Sequence, residues 1–175
     1  YIHSNSSIPL MGTSYFGIVD RDTNLIELRP NTGCNLNCIY CSLNEGGEKA
    51  VDFVIEKDYL VQEVKKLVEF KDATVEIHIN PQGEPLLYTP LVELVRDVVS
   101  IPGVEKVSID TNATLLNKRK ADELMEAGLT RFNISLDSLK QASEIAGCNY
   151  PVEQVKKVIE YIASKGNVII APLLI

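Results

Sequence analysis

Three of the four cysteines of the chain lie within one short segment. Cys34, Cys38 and Cys41 form the pattern C-x3-C-x2-C in GCNLNCIYCS, whereas Cys148 lies far downstream. Zinc sites usually combine two C-x2-C pairs, or cysteine with histidine, and neither histidine of this chain is close in sequence. Three thiolates on one loop suit a [4Fe-4S] cluster whose fourth iron is free to bind another ligand. The spacing therefore predicts a reactive iron–sulfur site, and the alternative is a non-catalytic zinc or iron–sulfur electron-transfer module.

The composition is typical of a folded, acidic protein. The chain has 175 residues, of which 45% are hydrophobic, and a formal net charge of -7. Acidic and basic residues are interspersed, so we expect nucleic-acid binding only through domains outside this sequence. No apolar run approaches the roughly 20 residues of a membrane-spanning helix, and no secretory signal is recognisable. We therefore expect a cytoplasmic protein with no membrane contact.

Strand and helix patterns alternate along most of the chain. Residues 1–24 are expected to form a polar lead-in with one strand of a hairpin, followed by a first barrel strand in NLIELRP. Apolar spacing predicts helices in residues 56–70, 91–100, 115–128 and 152–166. Strands are predicted in TVEIHIN, KVSIDTN, RFNISLD and NVIIAPLLI. This alternation indicates parallel strands joined by helical crossovers.

Three of these strands carry one apolar and one polar face. In TVEIHIN, for example, Val75, Ile77 and Ile79 alternate with polar residues that include His78. Strands of a doubly wound sheet are covered on both faces and tend to be apolar throughout. A polar inner face favours a barrel, and we predict a partial (βα)6 TIM-like barrel over the doubly wound alternative.

Four segments resemble the motifs of the radical SAM superfamily. The defining motif of that superfamily is C-x3-C-x2-C after the first barrel strand, usually with an aromatic residue where Tyr40 stands here. PQGEPLL resembles the glycine-glycine-glutamate-proline motif, with Gln82 in place of the first glycine. IDTNATLL and FNISLDS resemble the third- and fourth-strand segments of the branch that includes the molybdenum-cofactor cyclase and peptide-modifying enzymes, with Ala113 replacing a glycine.

The resemblance implies a set of ligands for the cluster and for S-adenosylmethionine (SAM). Tyr40 is expected beside the adenine of SAM, Glu84 at the methionine amino group, and Ser135 in contact with SAM. The residues expected to bind SAM are Tyr40, Gly83, Glu84, Asp110, Asn112, Ser135 and Asp137. The expected cluster ligands are Cys34, Cys38 and Cys41. No role is assigned to Cys148 or to His78.

The same resemblance implies a reaction but no substrate. The cluster is expected to cleave SAM reductively to a 5'-deoxyadenosyl radical, which abstracts hydrogen from a peptide or protein, a tRNA base or a cofactor precursor. A one-electron donor such as a ferredoxin or flavodoxin is an implied partner. Residues 25–175 are expected to form the radical SAM core, and the sequence ends in the apolar run VIIAPLLI, so we expect a core truncated after about its fifth strand.

Overall fold

The computed structural model describes residues 1–41 and 51–172, in which six strands form one sheet. The strands are β1 (Gly17–Asp20), β2 (Leu25–Arg29), β3 (Val75–Ile79), β4 (Val104–Thr111), β5 (Arg131–Ile134) and β6 (Asn167–Ile170). β1 and β2 pair antiparallel as a hairpin, and every other pair of neighbouring strands, from β2–β3 to β5–β6, is parallel. The predicted parallel sheet is therefore confirmed, with five parallel strands and one antiparallel strand.

The order of the strands distinguishes a barrel from a doubly wound sheet. The strands neighbour one another in sequence order from β1 to β6. A doubly wound sheet reverses its strand order at a switch point, and this sheet does not reverse. Because right-handed crossovers that always step in one direction place their helices on one face, the arrangement is that of a barrel wall. The predicted barrel-type fold is confirmed.

Helices connect the parallel strands and cover the outer face of the sheet. They are α1 (Lys57–Lys71), α2 (Leu91–Val99), α3 (Lys118–Glu126), α4 (Ala142–Ile145) and α5 (Val152–Ala163). The four predicted helices are present, whereas the single turn of α4 was not predicted. α3 shows the residues that begin and end a helix. The Asn117 side chain caps its first turn by accepting a hydrogen bond from the Lys120 amide at 2.9 Å, and Gly128 follows its end with φ 106°.

The alternation within the strands is also confirmed. In β3, Val75, Ile77 and Ile79 are fully buried, whereas Glu76 and His78 are half-buried on the opposite face. The apolar side chains pack against the helices, so the polar side chains lie on the inner surface of the wall. This surface continues into the loops that follow the strands, where the predicted site residues lie.

β6 differs from the other parallel strands because it forms the edge of the described sheet. Ile169 and Ile170 are about half exposed, at 47% and 49%. Residues 173–175, the end of the predicted strand NVIIAPLLI, lie outside the described residues. None of the helices described is long and apolar enough to span a membrane.

Candidate functional site

The predicted site residues meet in one cleft at the carboxyl ends of the parallel strands. The cleft has a volume of about 230 Å³ and is formed by the loops that follow β2, β3, β4 and β5. Its lining includes Cys34, Cys38, Cys41, Tyr40, Gly83, Glu84, Asp110, Asn112 and Ser135. Asp137 lines an adjoining cavity of about 30 Å³ that shares Tyr40 and Ser135 with the cleft. The structure therefore brings together all ten residues that the sequence indicated.

Among the described residues, none of the three clustered cysteines forms a disulfide bond. Desolvation raises the pKa of the Cys34 thiol, and the negative charges of Glu84 and Cys41 add to this effect. Desolvation and the charge of Cys34 likewise raise the pKa of Cys38. Three thiolates in this cleft would repel one another, so cationic iron would stabilise the deprotonated form.

The donor set fits an iron–sulfur cluster by its chemistry and its shared cleft. Within residues 1–41 and 51–172, no group of three His, Cys, Asp or Glu side chains is positioned to hold a single metal ion. A [4Fe-4S] cluster binds each cysteine through a different iron, so its ligands need not converge on one point. Cys34, Cys38 and Cys41 line this cleft together and could hold such a cluster.

A backbone contact fixes the start of the cysteine loop. The Glu84 amide donates to the Gly33 carbonyl at 2.8 Å, and the Asn31 side chain donates to the carbonyls of Gly33 and Glu84 at 3.2 and 2.9 Å. A Cβ atom on Gly83 would overlap the Gly33 carbonyl and the Thr32 oxygen. Gly83 therefore allows the loop after β3 to pack directly on the backbone that precedes Cys34.

Glu84 is buried and bonded by the chain itself. It is 2% exposed, and its carboxylate accepts from the Thr111 hydroxyl at 2.6 Å and from the amides of Asn112 and Leu86 at 2.9 and 3.0 Å. Burial raises the pKa of Glu84, and the three hydrogen bonds oppose that rise. A carboxylate has about four acceptor sites, so one remains for a ligand in the cleft. Glu84 thus connects the loop after β3 to the end of β4.

The loop after β4 is bonded to the cysteine loop through amide side chains. The Asn112 side chain donates to the Asn35 oxygen at 3.0 Å, and Asn35 donates to the Thr114 hydroxyl at 2.8 Å. Ala113, which stands where the resembled motif has glycine, adopts the left-handed region at φ 58°. The position thus has the backbone conformation that a glycine adopts without strain.

Two tyrosines bind the loops on the other side of the cleft. Tyr40 donates to an Asp137 carboxylate oxygen at 2.7 Å. The Tyr150 hydroxyl lies 2.7 Å from the Asn112 carbonyl and 3.2 Å from the Ser135 carbonyl, so it connects the ends of β4 and β5. Burial raises the pKa of both phenols, so both stay protonated as donors at neutral pH.

The polar face below the cleft holds a chain of hydrogen bonds. His78 lies with Nδ1 2.8 Å from the Ser108 hydroxyl and Nε2 3.1 Å from an Asp110 carboxylate oxygen. The Asn133 amide donates to the other Asp110 oxygen at 2.8 Å. Asp110 is therefore held between β3 and β5 at the base of the cleft.

Three residues of the site were not predicted from the sequence. Thr111 binds Glu84, Asn31 binds the loop after β3, and Tyr150 connects the ends of two strands. Thr111 shares the apolar face of β4 with Val107 and Ile109. A hydroxyl group on an otherwise apolar face is the sequence feature that could have indicated a role for Thr111. Asn31 and Tyr150 carried no comparable signal.

Comparisons with known proteins agree on one family. A sequence model described as the radical SAM superfamily matches residues 28–175. MJ0103 of Methanocaldococcus jannaschii is 42% identical over 184 residues, which covers 99% of this chain and 42% of that protein. A GTP 3',8-cyclase of Listeria welshimeri is 49% identical over 119 residues, which covers 65% of this chain and 33% of the relative. The chain thus spans well under half the length of either relative.

Solved structures share the fold. BtrN in complex with AdoMet and 2-DOIA superposes with a TM-score of 0.65 at 20% identity, covering 86% of this chain and 58% of BtrN. The enzyme anSMEcpe with bound AdoMet gives a TM-score of 0.63 at 23% identity, covering 82% of this chain and 42% of that one. At these identities the likeness supports the partial barrel and says nothing of the substrate.

Proposed function

The chain belongs to the radical SAM superfamily, and on that basis we propose that Cys34, Cys38 and Cys41 bind three irons of a [4Fe-4S] cluster whose fourth iron binds SAM. The cluster and SAM are the cofactors of this family, as the sequence predicted. The observation that carries the assignment is that all three cysteines line one cleft together with Glu84 and Asn112. Residues 25–175 form the proposed core, and residues 1–24 its lead-in.

The side chains around the cleft suit the parts of SAM. When bound, the cluster supplies one electron, whose transfer to SAM yields methionine and a 5'-deoxyadenosyl radical. The remaining acceptor site of Glu84 can accept from the methionine ammonium group, and the hydroxyl of Ser135 can bond to SAM. The Tyr40 ring, held by Asp137, offers a surface for the adenine. Asp110 and Asn112, which line the same cleft, are the proposed contacts of the ribose.

Among the three predicted substrate classes, we propose a small cofactor precursor. The support is the 49% identity over 119 residues to a protein named GTP 3',8-cyclase. A ferredoxin or flavodoxin is the proposed electron donor, and nucleic acid would be bound only by parts of the protein outside this chain. The proposed location is the cytoplasm.

Anaerobic reconstitution of the full-length protein tests the cluster and SAM together. We expect about four irons and four sulfides per chain, an electron paramagnetic resonance signal that changes on adding SAM, and 5'-deoxyadenosine on reduction. The variants C34A, C38A and C41A should each lose the SAM-sensitive signal. C148A is the matched control and should retain it, because Cys148 does not line the cleft.

Two results would contradict this assignment. If the wild-type protein contained zinc and no sulfide, the three cysteines would instead form a structural zinc site. A cluster signal that is indifferent to SAM would indicate a non-catalytic electron-transfer module.

A further inference from the structure

We propose that His78 is a positioning residue for SAM binding: it holds the Asp110 carboxylate at the wall of the cleft, so that this carboxylate can accept hydrogen bonds from the ribose hydroxyl groups. This inference rests on the proposed function, because the contact between Asp110 and the ribose belongs to that function. It assigns a role to a strand histidine that is not itself among the residues lining the cleft.

His78 reaches Asp110 from the neighbouring strand. β3 and β4 pair with His78 opposite Ser108, and Asp110 is the next inward residue of β4 toward the cleft. The imidazole spans both inward positions, with Nδ1 2.8 Å from the Ser108 hydroxyl and Nε2 3.1 Å from an Asp110 carboxylate oxygen. The side chain of His78 is 13% exposed, whereas that of Asp110 is 36% exposed and lines the cleft. His78 therefore supports Asp110 from the more buried side.

The partners of the imidazole determine which ring nitrogen carries hydrogen. An ionised carboxylate only accepts hydrogen bonds, so the Nε2 atom that faces Asp110 must be the donor. The Ser108 hydroxyl can rotate to donate to Nδ1 of the neutral ring, and a hydrogen bond at one ring nitrogen selects the tautomer at the other. Ser108 is buried, so its hydroxyl is directed to the imidazole and not to solvent. His78 is therefore a donor directed at Asp110.

The charged residue beside His78 on the other neighbouring strand has partners of its own. Glu27 of β2 pairs in register with His78, so the two residues share the inward face. The Glu27 carboxylate lies 3.1 Å from the Arg21 guanidinium group and 2.8 Å from that of Arg29. Because two cations hold Glu27, Asp110 is the carboxylate to which His78 donates.

Asp110 is held at both carboxylate oxygens and keeps acceptor capacity at both. Asn133 Nδ2 donates to Oδ1 at 2.8 Å, and His78 Nε2 donates to Oδ2 at 3.1 Å. A carboxylate has about four acceptor sites, so about one remains on each oxygen. Two adjacent acceptor sites suit the neighbouring 2'- and 3'-hydroxyl groups of a ribose. Donors from two strands fix the carboxylate before the ligand arrives, and ordering it on binding would cost affinity.

The affinity of the reconstituted full-length protein for SAM tests the role of His78. Anaerobic equilibrium dialysis gives the dissociation constant of SAM for each variant. We expect H78L and D110A each to weaken binding by about tenfold. H78Q, whose amide can donate to Asp110 in place of Nε2, should stay within about threefold of the wild type. The double variant H78L/D110A should bind as weakly as D110A alone, because His78 acts through Asp110.

E76Q is the matched control for H78L. Glu76 lies on the same face of β3, one inward position farther from the cleft, and bonds to Lys106 at 3.1 Å. Its substitution removes a partly exposed ion pair and leaves Asp110 untouched, so E76Q should bind SAM as the wild type does.

A second measurement needs neither the cluster nor SAM. Nitrogen-15 nuclear magnetic resonance of the full-length wild-type protein at mildly basic pH shows which ring nitrogen of His78 carries hydrogen, and the signal is assigned by its loss in H78Q. We expect hydrogen on Nε2, the nitrogen that faces Asp110. Hydrogen on Nδ1 alone would overturn the positioning role. This measurement decides the question even if H78L fails to fold.

The outcomes separate this inference from the proposed function. Equal SAM binding by H78L and E76Q, or losses that add in the H78L/D110A protein, would overturn the role of His78 and leave the proposed function standing. A wild-type cluster signal that is indifferent to SAM would reject the proposed function, and the ribose contact with it.

Discussion

The loops at the carboxyl edge of the sheet and the inward face of β5 differ in how many hydrogen bonds hold their polar side chains. Around the cleft, the Glu84 carboxylate accepts three hydrogen bonds from the chain itself, and Asn31 donates to two carbonyls. On β5, Arg131 and Asn133 each keep a buried polar atom without a partner among the described residues. The Oδ1 atom of Asn31 also lacks a partner among the described residues, so the two regions differ in the number of their hydrogen bonds and not in having an unpaired atom.

The larger number of hydrogen bonds at the cleft fits the cofactor site that we propose there. A cofactor site gains from loops that are fixed before the ligand arrives, because ordering them on binding would cost affinity. The comparison predicts that substitutions at the cleft loops destabilise the protein strongly, whereas substitution of Arg131 changes its stability little.

The largest effect is expected for G83A. A Cβ atom at this position would overlap the backbone of Thr32 and Gly33, and a backbone cannot move aside as a flexible side chain can. We expect a loss of about 3 kcal/mol or more in the free energy of unfolding, together with loss of cluster incorporation. Thermal and urea unfolding of the variant measure the first effect, and iron content measures the second.

G166A provides the control for G83A. A Cβ atom on Gly166 would meet only the Met125 sulfur at 3.6 Å, an ordinary van der Waals distance. Its stability should stay within about 0.5 kcal/mol of the wild type. A G83A protein as stable as G166A would show that the two loops do not depend on this contact.

A smaller effect is expected for T111V, and it should depend on pH. The substitution keeps the shape of the side chain and removes the hydroxyl that donates to the buried Glu84 carboxylate at 2.6 Å. Loss of a hydrogen bond to a charged group costs about 1.5–3 kcal/mol. T130V removes a hydroxyl that donates to a neutral carbonyl at an exposed position, and it should cost less.

The direction of the pH dependence follows from the pKa of Glu84. Burial raises this pKa in the folded chain above its unfolded value, so the folded chain holds the proton to higher pH and loses stability as pH rises through the folded pKa. Removing the Thr111 hydroxyl raises the pKa further. The cost of T111V should therefore increase as pH rises above the unfolded pKa of about 4.3, and a cost that is constant over the whole pH range in which both proteins fold would contradict the role assigned to this bond.

The sequence indicated the barrel and the cleft residues because both depend on local patterns. Alternation in TVEIHIN determined the apolar and polar faces of β3, and four motifs in chain order indicated which loops meet. The contacts between loops could not be predicted in this way. The packing of Gly83 on Gly33, for example, depends on a tertiary approach that leaves no periodic trace.

The same limit applies to Tyr150, which lies in a segment without a predicted element. Its hydroxyl reaches carbonyls 38 and 15 residues away in sequence. The turn of α4 and the backbone bonds from Asn37 and Ile39 to Ala146 and Ile145 bring that segment onto the cysteine loop. Periodic spacing in a sequence predicts contacts between residues a few positions apart. The role of Tyr150 can therefore be recognised only once the fold is known.

The smallest effect is expected for R131Q, and its contrast with R29Q tests the comparison itself. Arg29 is 7% exposed and bonded to the Glu27 carboxylate and the Ser14 carbonyl, so R29Q should cost about 2 kcal/mol or more in the free energy of unfolding. Arg131 has no such partners in the described chain, and R131Q should change this free energy by less than about 0.5 kcal/mol. Urea unfolding of both variants measures the difference. If R131Q were as destabilising as R29Q, Arg131 would stabilise the fold as much as a bonded arginine does, and the predicted difference between the two regions would be wrong.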